Sequence, residues 1–509
     1  MNSMDMNSRK TRLAHKRLWA TPWGFLFPLR AVLLVGLVAG CGVQDTGGSA
    51  AATSEKGPPP NVVLIVVDTL RADRLGAFRN GVPVMPELMA FADTAWNFRR
   101  AAVQATWTKP SVASILTGLY PETHKVQYGV EKKLLDGKQD MTLDTLPSEI
   151  PAFATFMKEA GYHTVAVQTN YHLRRDLGFG QGFDVYDMLQ WEDDAAKVTV
   201  HALERIEGLA EPFFLYVHYL DPHSTYDPPE PERSAFGPLP VINAQDQALL
   251  GSGYNTEYYL DKILNDLGLR PERRLAQFSV GAREHIRYLY DGECRHTDSA
   301  VMRLVRGIDA AKGDTAVIVT SDHGEEFWEH GSIGHSKTVY EELTHVPLLM
   351  RLPGHEAKAI DTPVETIDIL PTVSDFLGIE SLPHWQGRSL FPGAVSLRAV
   401  FAQTHTSLRE AGLDLEMALL DKHKLIRDRS KGKVALYDLA ADPGETENLA
   451  AREPAKAEEL VALLGQHAAH LAAHPLADAA AGQVVVDPEA KAQLEAMGYL
   501  PGEPPANKP

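Results

Sequence analysis

Residues Asn61-Val62-Val63-Leu64-Ile65-Val66-Val67 run apolar and mostly β-branched without a break, then stop at Asp68-Thr69-Leu70-Arg71-Ala72-Asp73. A run with no polar alternation suits a strand buried on both faces, as in a parallel sheet under helices. Outward from it, His163–Val167, Phe213–His218, Ala316–Thr320 and Val346–Met350 read as further strands. Helical patterns lie between them, for example Pro151–Ala160 and Thr297–Ala311. Strands alternating with helices predict an α/β fold, a three-layer sandwich with a central, mostly parallel sheet. Polar residues follow the strands directly: Asp68, Asp221 with His223, and Asp322 with His323. Open α/β sheets bind ligands beyond the carboxyl ends of their strands, so the chemistry is expected on one rim.

From about Asp361 the texture changes. Leu419–Arg427 and Val434–Leu439 read as paired strands around Ser430-Lys431-Gly432, within a small antiparallel subdomain over roughly 395–449. Ala450–Ala473 is Ala/Leu/Glu-rich and helical. The expected division is a catalytic domain over 61–394, a C-terminal subdomain with its helix over 395–500, and a disordered Pro-rich tail over 501–509. Residues 224–285, irregular and proline-bearing, read as an insertion over the site.

The N-terminus is a targeting segment. Arg9, Lys10, Arg12, Lys16, Arg17 and Arg30 precede an apolar run from Ala31 to Ala39 that ends in Leu37-Val38-Ala39-Gly40-Cys41. A basic region, a short apolar stretch and small residues at the cut read as a signal peptide over 1–40, and the run is too short to span a bilayer. Residues 41–60, rich in Gly, Ala, Ser and Pro, are a flexible tether. Lys and Arg number 49 against 67 Asp and Glu, a net charge of −18, which argues against a nucleic-acid binder. Two cysteines, Cys41 and Cys294, exclude a disulfide framework and a cysteine zinc site.

The most informative stretch is Ala105-Thr106-Trp107-Thr108-Lys109-Pro110-Ser111-Val112-Ala113-Ser114-Ile115-Leu116-Thr117-Gly118. Pro110 fits the first turn of a helix and Gly118 its end. Thr108 then sits at or next to the N-cap, where free N–H groups and the macrodipole favour anions. A hydroxyl nucleophile there meets a tetrahedral oxyanion ester with its charge already offset.

The pattern T-K-P-S-x-x-S-I-L-T-G-x-x-P, Thr108 to Pro121, resembles the nucleophile segment of the sulfatase/alkaline phosphatase superfamily. The Asp68 strand end resembles that family's first metal-ligand segment, and Ser321-Asp322-His323-Gly324-Glu325 its second. Tyr219-Leu220-Asp221-Pro222-His223 matches its substrate-side histidine, and Gly334-His335 falls where many members carry a lysine. Leu436–Leu449 looks like the sulfatase C-terminal signature, and Leu37–Cys41 resembles a bacterial lipobox. The resemblance implies a hydrolase of sulfate, phosphate or phosphonate esters on sulfated or phosphorylated small molecules or glycans. It implies a metal site of Asp68, Asp322, His323 and the Thr108 oxygen, holding one Mg²⁺, Mn²⁺, Ca²⁺ or Zn²⁺. Thr108, His223 and His335 are the candidate catalytic residues; Asn170, Lys109, His223 and His335 the candidate substrate-binding ones. The lipobox implies acylation of Cys41 and a periplasm-facing lipoprotein, held in the outer rather than the inner membrane.

Four positions depart from the sulfatase pattern. Thr108 stands where formylglycine forms from Cys or Ser, and a secondary alcohol oxidises only to a ketone, so no formylglycine is expected. Val112 takes the usual arginine position, Gln168–His172 holds no lysine, and Thr69 replaces the second aspartate of the first metal segment. A threonine acting directly is the chemistry of phosphate-handling relatives, through a covalent phospho-enzyme. Two other functions fit the same residues: a phospho-group transferase acting on envelope glycans or lipids, and a catalytically inactive sulfatase-fold binding protein.

Overall fold

The computed structural model describes residues 58–127, 131–135, 138–251, 278–391, 395–404, 413–476, 482–488 and 491–492. The signal peptide, Cys41, most of the tether and the C-terminal tail lie outside the described residues.

Asn61–Val67 forms strand β1, and all seven residues are buried. Along it the side chains divide between two cores. Val63, Ile65 and Val67 join one apolar cluster, and Val62, Leu64 and Val66 the other. This alternation is what a strand covered on both faces requires. The sheet has eight strands: β1, β2 (Trp96–Phe98), β3 (His163–Gln168), β4 (Val185–Met188), β5 (Phe213–Tyr219), β6 (Thr315–Ser321), β7 (Leu348–Arg351) and β8 (Lys358–Ile360). Their order is β8-β2-β7-β6-β1-β5-β3-β4. The run β4-β3-β5-β1-β6 is parallel throughout, and β7 adds to β6 antiparallel.

Six helices matter for the site: α1 (Thr108–Thr117), α2 (Phe153–Glu159), α3 (Ala195–Ile206), α4 (Val280–Ala311), α5 (Ile369–Leu377) and α6 (Pro454–Ala473). Helices α3 and α4 cover one face through Val198, Ile206, Leu304 and Ile308. Helices α1, α2 and α5 cover the other through Val112, Leu116, Phe153 and Ile369. The expected three-layer α/β sandwich is the observed fold. Helix α4 begins at Val280, well before the expected Thr297, with Ser279 Oγ accepting from the Ala282 N–H at 3.1 Å as its N-cap.

Strands β9 (Val400–Gln403), β10 (Leu415–Leu420), β11 (His423–Asp428) and β12 (Lys433–Asp438) form the C-terminal antiparallel sheet in sequential order. Residues 419–427, expected as one strand, are split by a turn at Asp421-Lys422. Asp421 has φ +53°, which a continuing strand does not allow. Helix α6 buries Leu460 and Leu464 against Ala418, Leu425 and Leu436 of this sheet. Among the described residues no helix is long and apolar enough to cross a membrane.

Candidate active site

Four adjacent parallel strands deliver the site at their carboxyl ends. Asp68 follows β1, Asp322 and His323 follow β6, Asn170 follows β3, and β5 carries His218 at its penultimate position. Thr108 is the first residue of α1, capped by extended Trp107, and Gly118 ends that helix at φ +69° with its N–H on Ser114 O at 2.9 Å. The cap residue at Gly118 lies in the left-handed region that glycine enters without steric cost.

The loops are locked to one another. The Asp68 N–H bonds Tyr219 O at 2.9 Å, the Leu70 N–H bonds Ser321 Oγ at 3.0 Å, and the Thr69 N–H reaches Asp322 Oδ1 at 3.3 Å. Arg71 donates to Glu325 O at 3.0 Å and to Glu329 at 2.8 Å, joining the first loop to the second. Ser111 Oγ donates to Asp322 O, which ties α1 to the same centre.

Asp68, Asp322 and His323 are fully buried, and their ligand atoms lie within 4.8 Å of one another. His323 Nε2 is 3.6 Å from Asp68 Oδ1 and 3.6 Å from Asp322 Oδ2. Thr108 Oγ1 stands 3.4 Å from Asp68 Oδ2 and 3.3 Å from His323 Nε2. Asp68 Oδ1 and Asp322 Oδ2 have no hydrogen-bond partner. Two buried carboxylate oxygens left unbonded and facing one imidazole nitrogen fit a divalent cation. The tautomer fits too: His323 Nδ1 lies 2.9 Å from Gly324 O, so its N–H is there and Nε2 presents the lone pair. Burial and the Asp322 charge push Asp68 well above the usual carboxylate range. Burial, then His335, holds His323 below its ordinary value, against the pull of Asp322.

Asn170, expected at substrate, bonds the site itself. Its Nδ2 donates to Asp68 Oδ2 at 2.9 Å and its Oδ1 accepts from the His172 N–H at 2.9 Å. His335 lies with its ring 4.5 Å from that of His323 and 5.2 Å from that of His223. Burial, then His335, lowers His223 to about 4, and burial, then Lys337, lowers His335 to about 4 although Asp322 opposes it. Lys109 is not brought to this group by any described contact. Neighbouring residues of a helix point about 100° apart, and its ammonium is buried without a hydrogen-bond partner. Burial draws it down to about 7, against the pull of Asp144 and Asp176. Asp221 also lies apart, its Oδ2 accepting from the Ala195 N–H at 2.7 Å at the start of α3.

Two residues were missed. Glu325 sits in the Ser321–Glu325 segment without an assigned role, yet its Oε1 is 3.1 Å from His335 Nδ1 and its Oε2 accepts from Tyr226 OH at 3.0 Å. His218 was passed over as one polar residue in a strand; a histidine in a strand buried on both faces was the available signal.

This sheet order and this rim define the alkaline-phosphatase-like class of α/β ester hydrolases. A family model described as Sulfatase matches residues 60–379, and one described as N-sulphoglucosamine sulphohydrolase, C-terminal, matches residues 328–473. The chain belongs to the sulfatase family, whose members hydrolyse sulfuric and phosphoric esters. It is 26% identical to the multifunctional alkaline phosphatase superfamily protein PehA of Trinickia caryophylli, across 77% of this chain and 91% of that one. It is 23% identical to the delta 4,5-hexuronate-2-O-sulfatase of Bacteroides thetaiotaomicron, across 79% and 86%. Among solved structures, a phosphonate monoester hydrolase from Silicibacter pomeroyi superposes with a TM-score of 0.61 at 23% identity, covering 82% of this chain and 96% of that one.

Proposed function

We propose that this chain hydrolyses an anionic ester of phosphoric, phosphonic or sulfuric acid, with the unmodified Thr108 hydroxyl as nucleophile and one divalent cation held by Asp68, Asp322, His323 and Thr108. The observation that carries it is the place of Thr108 Oγ1. It lies at a helix N-terminus 3.4 Å from Asp68 Oδ2 and 3.3 Å from His323 Nε2, and the other Asp68 oxygen, Oδ1, together with Asp322 Oδ2 has no hydrogen-bond partner.

A divalent cation in this site lowers the pKa of the hydroxyl and polarises the ester oxygen. Asn170 holds the Asp68 carboxylate in register, and the bonds of Arg71 and Ser111 fix the loops after β1 and β6 and the start of α1 to one another. The first N–H groups of α1 face the oxyanion. Thr108 Oγ gives up its proton and forms a bond to phosphorus or sulfur while the bond to the leaving oxygen breaks, and that proton passes to the leaving oxygen, which departs as the alcohol. Water then cleaves the threonine adduct, releasing the acid and restoring the hydroxyl. His335, oriented by Glu325, packs against His323, and His223 packs against His335; these two imidazoles are the groups for proton transfer and for contact with non-bridging oxygens. Thr108 cannot yield an aldehyde, and Val112 replaces an arginine; both favour a phosphoester or phosphonate over a sulfate. The similar proteins include both chemistries by name, a phosphonate monoester hydrolase and a delta 4,5-hexuronate-2-O-sulfatase, so the preference rests on Thr108 and Val112.

The test pairs p-nitrophenyl sulfate, a p-nitrophenyl phosphodiester and a p-nitrophenyl phosphonate with Mg²⁺, Mn²⁺, Ca²⁺ or Zn²⁺. Thr108→Ala should lower kcat/KM on the preferred ester by on the order of 10⁴-fold or more, while Thr108→Ser retains activity. A folded protein with no turnover of any ester would favour the binding-protein reading, or a transferase awaiting its acceptor.

We further propose that Leu37–Cys41 directs export and acylation at Cys41, which places the enzyme on the periplasmic side of the cell envelope. Cys41→Ser should then release the chain from the membrane fraction.

A further inference from the structure

The imidazole of His218 is fully buried at the end of β5, and neither ring nitrogen has a hydrogen-bond partner. Its Nε2 lies 4.0 Å from Asp68 Oδ2 and 3.9 Å from Asp322 Oδ2. Both distances exceed a hydrogen bond. A buried imidazole without a partner is unfavourable, because each ring carries an N–H and a lone pair that water would satisfy. Asp322 Oδ2 is in the same state, buried and unbonded.

These two deficits have one common remedy. Two atoms bound to one cation at about 2.0–2.2 Å each stand no more than about 4.4 Å apart. The contacts of His218 to Asp68 Oδ2 and Asp322 Oδ2 fall inside that limit, as do the 3.6 Å contacts of His323 to Asp68 Oδ1 and Asp322 Oδ2, so the two imidazoles share Asp322 Oδ2 and approach Asp68 through different oxygens. The residue after Asp68, where the family pattern has a second aspartate, is Thr69, and its hydroxyl is also buried and unpartnered. Beside Asp68 this chain thus offers a hydroxyl and no second carboxylate, and an imidazole stands against the same centre from the neighbouring strand.

We propose that His218 is a further ligand of the catalytic cation, so that two carboxylates, two imidazoles and the Thr108 oxygen hold it and tune the site to a transition metal such as Zn²⁺ or Mn²⁺ over Ca²⁺ or Mg²⁺. This rests on the metal-dependent reading above. The physical basis is donor softness: imidazole suits zinc and its first-row neighbours, whereas calcium and magnesium take oxygen.

The full-length chain, stripped with a chelator and reloaded with one equivalent of Zn²⁺, is measured by X-ray absorption at the zinc edge. Two imidazoles per zinc are expected in the wild type and one in His218→Ala. Competition titration should show Zn²⁺ affinity falling by more than about 100-fold in His218→Ala, beyond the range of about 10–100-fold typical of a residue that only supports a ligand. Ca²⁺ affinity should change much less. Circular dichroism and melting of the stripped proteins check that the variant folds; if it does not, the wild-type imidazole count decides alone. One imidazole in the wild type, or a variant that holds Zn²⁺ within tenfold of wild type, overturns the role of His218 and leaves the metal-dependent hydrolase standing. A wild-type protein that takes up none of the four cations overturns both.

Discussion

Asp68→Asn should leave the metal-free protein at least as stable as wild type while abolishing its stabilisation by metal. The side chains are nearly isosteric, and the amide oxygen can keep the 2.9 Å bond from Asn170. What changes is charge. Asp68 is buried, and burial together with the Asp322 charge raises its pKa well above the usual range. A carboxyl whose folded pKa is raised binds its proton more tightly folded than unfolded. Its contribution is therefore fully present below its unfolded value near 4 and is lost as pH rises through the folded value. Each factor of ten in that acid equilibrium is worth about 1.4 kcal/mol, which the amide does not lose at pH 7. For a chain of 509 residues the unfolding entropy near 60 °C is about 1 kcal/mol per kelvin. The variant in chelator should then melt about 1 °C or more above wild type at pH 7 for each such factor, and the gap should close toward pH 4. With cation at about 100 times its Kd, wild type gains about 2.7 kcal/mol, or about 2–3 °C; the variant gains little. Calorimetry or fluorescence melting from pH 4 to pH 8, with and without cation, reads both effects. A variant that melts lower than wild type in chelator and still gains the full shift with metal would refute this account of the buried carboxylate pair.

Cation binding should release protons, because Asp68 holds its proton above the usual carboxylate range and the cation must displace it; titration calorimetry in two buffers of different ionisation enthalpy measures this, and affinity should weaken as pH falls. Gly324→Ala places a Cβ 1.9 Å from Glu342 O, a clash with backbone that no side-chain motion relieves. It should cost about 1–3 kcal/mol in urea unfolding and disturb the neighbouring His323. Arg398 bonds both Glu365 and Asp368, which are fully buried. Arg398→Met leaves two unpaired buried carboxylates and should cost about 3–5 kcal/mol by the same assay.

The parallel core was legible because β1 after Asn61 has no polar residue to place: an apolar run ending in aspartate has one natural position, a buried strand whose carboxyl end meets the site. Asp322-His323 was legible for the same reason on β6. The direction of Lys109 was not legible, because sequence proximity to Thr108 says nothing of direction and one helical step turns a side chain by about 100° from its neighbour's face. Asn170 was located but its duty was not, since the Asp68 carboxylate it orients lies 102 residues away in sequence. His218 required knowing that β5 lies directly beside β1, a pairing set by sheet order and not by either strand's composition. The split of residues 419–427 required the positive φ of Asp421, a residue that tolerates the left-handed region without announcing it.

The most direct test of the central claim is the chemical state of Thr108 during turnover. The full-length protein, loaded with its preferred cation, is quenched in acid while hydrolysing a slow p-nitrophenyl phosphonate or phosphodiester, and the peptide holding Thr108 is mapped by mass spectrometry. The account predicts unmodified threonine in the resting enzyme and, under turnover, one substrate-derived phosphoryl or phosphonyl group on Thr108 that disappears as substrate is exhausted. Turnover at full rate with Thr108→Ala, or an adduct found only on another residue, would contradict it.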